Sequence, residues 1–142
     1  LLISMTMATC IFLVARWVFG IPIRGDVSAL FLATFLYVFT LLSLGLLIAA
    51  RAQNHMQALQ MTMALLLPAV FFSGFIFPIE TMPKFFQLLS TLIPATYFIG
   101  LMRAIMLRGA GFADYWQHFV ILAAMGGVLF SLCALRFRRK IA

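Results

Sequence analysis

From Ser28 to Ala50 the chain runs for 23 residues without a charged side chain. At about 1.5 Å per residue a helix of that length covers the roughly 30 Å of bilayer hydrocarbon. Backbone N–H and C=O groups have no water to bond in lipid, so such a run crosses as a helix that satisfies itself. The rest of the chain has the same character. Of 142 residues, 65% are hydrophobic and 9% charged, and the mean hydropathy is +1.16. Soluble domains run at roughly 45–50% apolar and roughly 25% charged. These totals exclude a water-soluble enzyme, a disordered tail and a secreted disulfide scaffold. The expectation is an all-α integral membrane protein with four or five spans.

The spans are read from the apolar runs. The first is Leu1 to Gly20, with Arg16 beside Trp17 marking an interface. With no charged leader before it, the run is not expected to be a signal peptide. It begins inside an apolar stretch, and the expectation is a C-terminal portion of a longer protein. A turn with Gly20, Pro22, Gly25 and Asp26 follows. The second span is 28–50, ending at a polar loop, Arg51 to His55. The third is 56–77, with Pro68 inside it and Ser73-Gly74 near its end, small residues where another helix can approach closely. The last is 116–135, with Gly126-Gly127 at its middle and a basic tail over 136–142.

Between the third and last spans the pattern breaks. Pro78, Pro83 and Pro94 divide the stretch into short pieces. Met82 to Leu92 predicts a short helix with Phe85, Leu88, Leu89 and Leu92 on one face. Ala95 to Leu107 predicts a second. The proline pattern points to a re-entrant helical hairpin over 82–107, which is tolerated at membrane depth where protein or water covers it. The alternative is one kinked span and five spans in all. Under either count Arg136, Arg138, Arg139 and Lys140 place the C-terminus in the cytoplasm. The hairpin splits the basic residues five against five across the membrane. Five spans put seven inside and three outside, so the charge rule favours five spans and the prolines favour the hairpin.

The net charge is 10 − 3 = +7. The juxtamembrane cluster reads as an anchor beside anionic lipid rather than a nucleic-acid surface. No catalytic residue is expected. HExxH, GxSxG and P-loop lysine motifs are absent. No metal site is expected either. His55 and His118 read as solvated or interfacial, and Cys10 and Cys133 as packing thiols. Asp26 and Asp114 read as loop charges. Glu80, between Pro78 and Pro83, is either a gate or arginine partner, or a charge facing the dipole of the helix after it. Arg103 lies within an apolar segment and reads as a snorkelling side chain or a functional charge.

The stretch FSGFIFPIETMPKFFQLLSTLIPATYFI, Phe72 to Ile99, resembles the signature of the type-2 family of ABC exporter permeases. In that family a penultimate span leads into a proline-acid-proline turn, a re-entrant helical pair and a last span. Here the counterparts are 56–77, then Pro78, Glu80 and Pro83, then Pro94-Ala-Thr-Tyr97, then 116–135 and its RFRRK tail. The resemblance implies the hairpin topology and a six-span permease of which this chain holds spans three to six. It implies pairing with a second permease, homomeric or heteromeric. It also implies docking on a cytoplasmic ATP-binding subunit in the cytoplasmic (inner) membrane. ATP and Mg would belong to that subunit, with no cofactor in this chain. The family's principal coupling helix would precede Leu1. Glu80, Pro83, Pro94, Tyr97 and Arg103 would form the outer hairpin and gate, with Ser73 and Gly74 packing closely nearby. Arg51, Asn54 and His55 would be a secondary contact with the ATPase. The rival reading is a non-transporting membrane scaffold or assembly subunit.

Overall fold

The structure is a computed structural model that describes residues 1–22, 24–109 and 112–141. The side chains of Phe112 and Asp114 lie outside the description, so the reading of Asp114 as a loop charge is not addressed beyond its backbone, which is helical. The described residues form six α-helices and no strand: α1 (Leu2–Trp17), α2 (Val27–Arg51), α3 (His55–Phe72), α4 (Lys84–Ser90), α5 (Pro94–Arg103) and α6 (Phe112–Ile141). A 3₁₀ turn, Ile79–Thr81, precedes α4, and one π-helical segment, Ala104–Arg108, extends α5. The chain is an all-helical membrane protein, as its composition requires.

Local chemistry sets the helix boundaries. The Asn54 carboxamide oxygen accepts from the Gln57 N–H at 2.7 Å, and Gln57 Oε1 accepts from the Gln53 N–H at 2.8 Å. This reciprocal cap starts α3 one residue earlier than the apolar run does. At the other end α3 stops at Phe72 rather than running to residue 77. Gly74 takes φ +83°, a conformation that costs an L side chain energy and terminates helices. Pro94 sits at the first turn of α5, where its missing N–H is not needed. The basic tail is the continuation of α6, which stays helical through Ile141.

Three helices, α2, α3 and α6, are long and apolar enough to cross a bilayer. The first expected span, 1–20, is the 16-residue α1, about 24 Å long and short of the hydrocarbon thickness by itself. Pro94–Arg108 and α4 meet at 87°. The pair is sharply bent, as a broken span or a re-entrant hairpin would be.

Helix α2 pairs along its length with α6. Near the α2 N-terminus, Ala29, Leu30 and Ala33 are buried with Tyr115, Phe119 and Leu122 of α6. Further along, Gly126 lies against Thr40 and Phe39, and the Phe39 and Phe130 rings are 5.4 Å apart. At the far end Ala50 and Arg51 share a cavity with Leu135 and Arg136. Residue numbers rise together, so α2 and α6 run parallel. Helix α3 returns antiparallel to α2 through a three-residue link, Ala52 to Asn54. The segment between α3 and α6 therefore leaves and rejoins the bundle at the same end. A chain of four spans with a hairpin would place α6 parallel to α2, and five spans would place it antiparallel.

Helix α5 fills the wedge between α2 and α6 at that end. Leu101 and Ile105 are buried in the same core, and Phe98 stacks on Tyr37 with centroids 4.3 Å apart. Gly109, at φ +58°, brings the chain back against Arg24, where an added Cβ would stand 3.1 Å from the Arg24 carbonyl oxygen. Helices α1 and α3 flank α2 and bury no residue fully. Leu59, Met63 and Phe71 of α3 are exposed. Apolar exposure on this scale suits lipid or a second chain, not water.

Candidate functional site

Of the expected hairpin residues, Glu80 and Arg103 lie together beside the C-terminal end of α3, and Pro83, Pro94 and Tyr97 lie elsewhere. A helix end leaves carbonyl oxygens without intrahelical donors, and these attract hydrogen-bond donors and positive charge. Two side chains from later helices supply them. Ser90 Oγ, buried at the end of α4, stands 2.6 Å from the Phe72 carbonyl oxygen and 3.0 Å from that of Phe86. Arg103 Nη2 donates to the Gly74 carbonyl oxygen at 3.0 Å. Through this bond Arg103, itself exposed, ties α5 to the end of α3, 29 positions earlier in the chain.

Ser73 and Gly74 are buried, though not in a helix–helix seam. They form the terminus of α3, and the Ile79 side chain packs over Gly74, where an added Cβ would lie 3.0 Å from Ile79 Cγ1. The close helix–helix approaches are made elsewhere. Gly126 packs on Thr40, and Gly100 packs on His118, where an added Cβ would be 3.3 Å from the ring.

Ser73, Gly74, Glu80 and Arg103 line one small cavity of about 190 Å³, together with Thr96 and Gly100. Glu80 is exposed at its edge, in the 3₁₀ turn four residues before α4 begins. Among the described residues, no carboxylate comes within ion-pair distance of Arg103. The Thr81 hydroxyl donates to the Pro78 carbonyl at 2.8 Å, and Gln87 Nε2 donates to the Met82 carbonyl at 2.9 Å, fixing the loop on either side of Pro83. The Tyr97 hydroxyl donates to the Thr91 carbonyl at 2.7 Å and so braces the 87° corner. Its ring meets His118 edge-on at 6.1 Å. Thr96 Oγ1 and His118 Nδ1 are buried there without a hydrogen-bond partner.

Pro94 belongs to a second, apolar cavity of about 360 Å³ between α2, α3 and the start of α5. Tyr37, Leu41, Leu66, Phe75 and Ile99 are among its walls. Helix α4 turns Phe86 toward Phe72, with rings 5.1 Å apart. Phe85, Leu88 and Leu92 project outward at 67%, 67% and 71% exposure, while Leu89 is half-buried. The apolar face read from the sequence thus points mostly away from this chain's own core.

Arg51, Asn54 and His55 lie at the opposite end of the bundle. The Asn54 side chain is committed to capping α3, while Arg51 and His55 are exposed. Cys10 and Cys133 are free, one exposed and one buried. Among the described residues no three His, Cys, Asp or Glu side chains group as metal ligands. Sequence reasoning missed Ser90, Thr96 and the packing of His118. A lone serine in a polar-apolar joint carries no signal of its long-range partner.

The model of the ABC-2 type transporter family matches residues 1–107. The chain is 36% identical over 129 residues to the inner membrane transport permease YhhJ of Escherichia coli, covering 91% of this chain and 34% of that one. It is 30% identical over 134 residues to ABC transporter G family member 20 of Dictyostelium discoideum, covering 93% of this chain and 18% of that one. It is 29% identical over 116 residues to the linearmycin resistance permease protein LnrN of Bacillus subtilis, covering 82% of this chain and 30% of that one. The chain thus spans about a third or less of the length of these relatives. No solved structure matches it. The matched stretch contains the proline-broken segment, the α3 terminus and Arg103, and on that ground the chain belongs to the ABC-2 type transporter family.

Proposed function

We propose that the chain is part of the membrane permease subunit of an ATP-driven ABC exporter in the cytoplasmic (inner) membrane. With a second permease it forms the substrate path, and a separate cytoplasmic ATP-binding subunit hydrolyses ATP with Mg. The observation that carries this reading is the tied segment after α3. It leaves and re-enters the bundle at one end, held by Arg103 and Ser90, in a chain of the ABC-2 family. With the basic end of α6 in the cytoplasm, that segment is a re-entrant hairpin on the outer face. The names of the relatives, a transport permease in YhhJ and a resistance permease in LnrN, support transport and resistance as the context.

The mechanism follows from where the segment is anchored. Pulling α3 along its axis moves Phe72 and Gly74, and through them Ser90 and Arg103 with α4 and α5. The α2–α3 link, Arg51 to His55, is a secondary contact with the ATPase, through which its closure reaches α3. Polar groups at the far end would then open or close the outer exit. Glu80 and Arg103 edge the small polar cavity there, and the 360 Å³ apolar cavity is large enough to hold part of an apolar substrate.

Two experiments test this. Purification of the complete protein from native membranes in mild detergent should bring a stoichiometric ATP-binding subunit with it. Its reproducible absence from folded protein favours a non-transporting scaffold. Glu80→Gln should lower ATP-driven export severalfold with normal membrane insertion, and unchanged export removes Glu80 from the gate.

A further inference from the structure

At the end opposite the hairpin, α2 and α6 line a cavity of about 660 Å³. The α6 residues that face it recur at helical spacing: Leu132, Leu135, Arg136, Arg139 and Lys140. Leu47, Ala50 and Arg51 of α2 complete the wall. Four cations, three from α6 and one from a helix that ends 85 positions before Arg136, thus converge on one space. All three acids of the sequence, Asp26, Glu80 and Asp114, belong to segments at the other end of the bundle. Among the described residues none of the four cations has a carboxylate partner. Helix C-termini favour a cation or two in their last turn. They do not account for four gathered around a shared cavity, where like charges repel. A counter-anion from outside this chain relieves that repulsion.

We infer that this cavity is a binding site for the headgroup of one anionic phospholipid. The inference rests on the membrane topology proposed above. The walls grade from apolar (Leu47, Ala50, Leu132) to basic (Arg51, Arg139, Lys140) toward the helix ends. That is the profile of a phospholipid, with acyl chains along the bundle and phosphate at the rim. Guanidinium groups match phosphate oxygens through paired N–H donors. A diffuse basic anchor needs only charge near the surface. A site needs these particular residues, and Arg138 supplies the contrast. It carries the same charge on the same turn of α6 but does not line the cavity.

The test uses the full-length protein and phosphatidylglycerol, with phosphatidylcholine as the neutral comparison, and counts bound lipid by native mass spectrometry. The expected result is one phosphatidylglycerol per chain held in preference to phosphatidylcholine. Arg136→Gln with Arg139→Gln should weaken it about 30-fold, from the usual contribution of a cation beside anionic lipid. Arg138→Gln should change it less than about threefold. Arg139→Lys keeps the charge but not the paired donors, so it guards against a folding defect and should bind between wild type and the double variant. Equal losses from Arg138→Gln and from the double variant overturn the site in favour of diffuse attraction. Equal retention of phosphatidylcholine overturns it as well. Unchanged lipid binding with loss of the co-purifying ATP-binding subunit would assign the cluster to protein docking instead. Failure of ATPase co-purification in the unaltered protein bears on the exporter reading alone, because lipid counting does not depend on it.

Discussion

Arg103→Met removes the guanidinium that holds the Gly74 carbonyl while keeping a long apolar side chain on α5. A hydrogen bond to a charged group contributes about 1.5–3 kcal/mol. At about 1.4 kcal/mol per factor of ten, local opening of the segment after α3 should rise about ten- to hundredfold. Arg103 is exposed, which places the effect at the lower end of that range. The readout is amide hydrogen exchange on the full-length protein in detergent. Informative amides are those of Thr81 and Met82, which bond to Pro78 O and Ile79 O at 3.1 Å each. They sit beside Ile79, which packs on Gly74. Amides in the middle of α2 serve as the internal control and should not change. Arg103→Lys keeps a charge but loses the guanidinium's reach and planar donors, so it should fall between wild type and Arg103→Met. Exchange at residues 79–82 within twofold of wild type, in folded protein, would refute the role of Arg103 as the tie between α5 and α3.

The glycines give further tests by thermal unfolding of the full-length protein in detergent. Gly126→Ala sets a methyl 2.7 Å from Thr40 Oγ1, whose hydroxyl is already committed to the Leu36 carbonyl at 2.7 Å. Overpacking of about 1–3 kcal/mol then opposes a helix-propensity gain of about 1 kcal/mol, for a net loss of up to about 2 kcal/mol. Thr40→Ala should restore most of it, and a stabilised single variant would mean the α2–α6 seam is loose. Gly127→Ala is the contrast, because nothing lies within 4 Å, and it should be neutral or gain up to about 1 kcal/mol. Gly74→Ala forces an L side chain to φ +83° against Ile79 and should cost about 1–2 kcal/mol, with no loss if α3 is free to end differently.

Membrane residence, the all-helical class and the position of the long helices were legible in the sequence. They depend on run length, absence of charge and turn residues, all of which act locally. The 23 uncharged residues from Ser28 to Ala50 are one helix with a residue added at each end. The proline-broken stretch was legible as two short helices for the same reason. Its ends shifted by a residue or two, and a π-helical extension was added. The early stop of α3 at Phe72 was partly legible, since Ser73-Gly74 was visible but read as a packing surface. The left-handed backbone of Gly74 makes it a terminus instead.

Local signals could not choose between four spans with a hairpin and five spans. The charge count pointed one way and the prolines the other. The parallel pairing of α2 with α6 bears on that choice, and it depends on contacts such as Thr40 and Phe39 with Gly126. Partners separated by tens of residues leave no periodic trace in a single sequence. The same holds for Ser90 and Arg103 on the end of α3, and for Arg51 beside Arg139. Sequence fixes which residues are expensive to leave alone in lipid: a charge in an apolar run, a broken helix end, a lone basic group. Only the tertiary fold decides which of them meet.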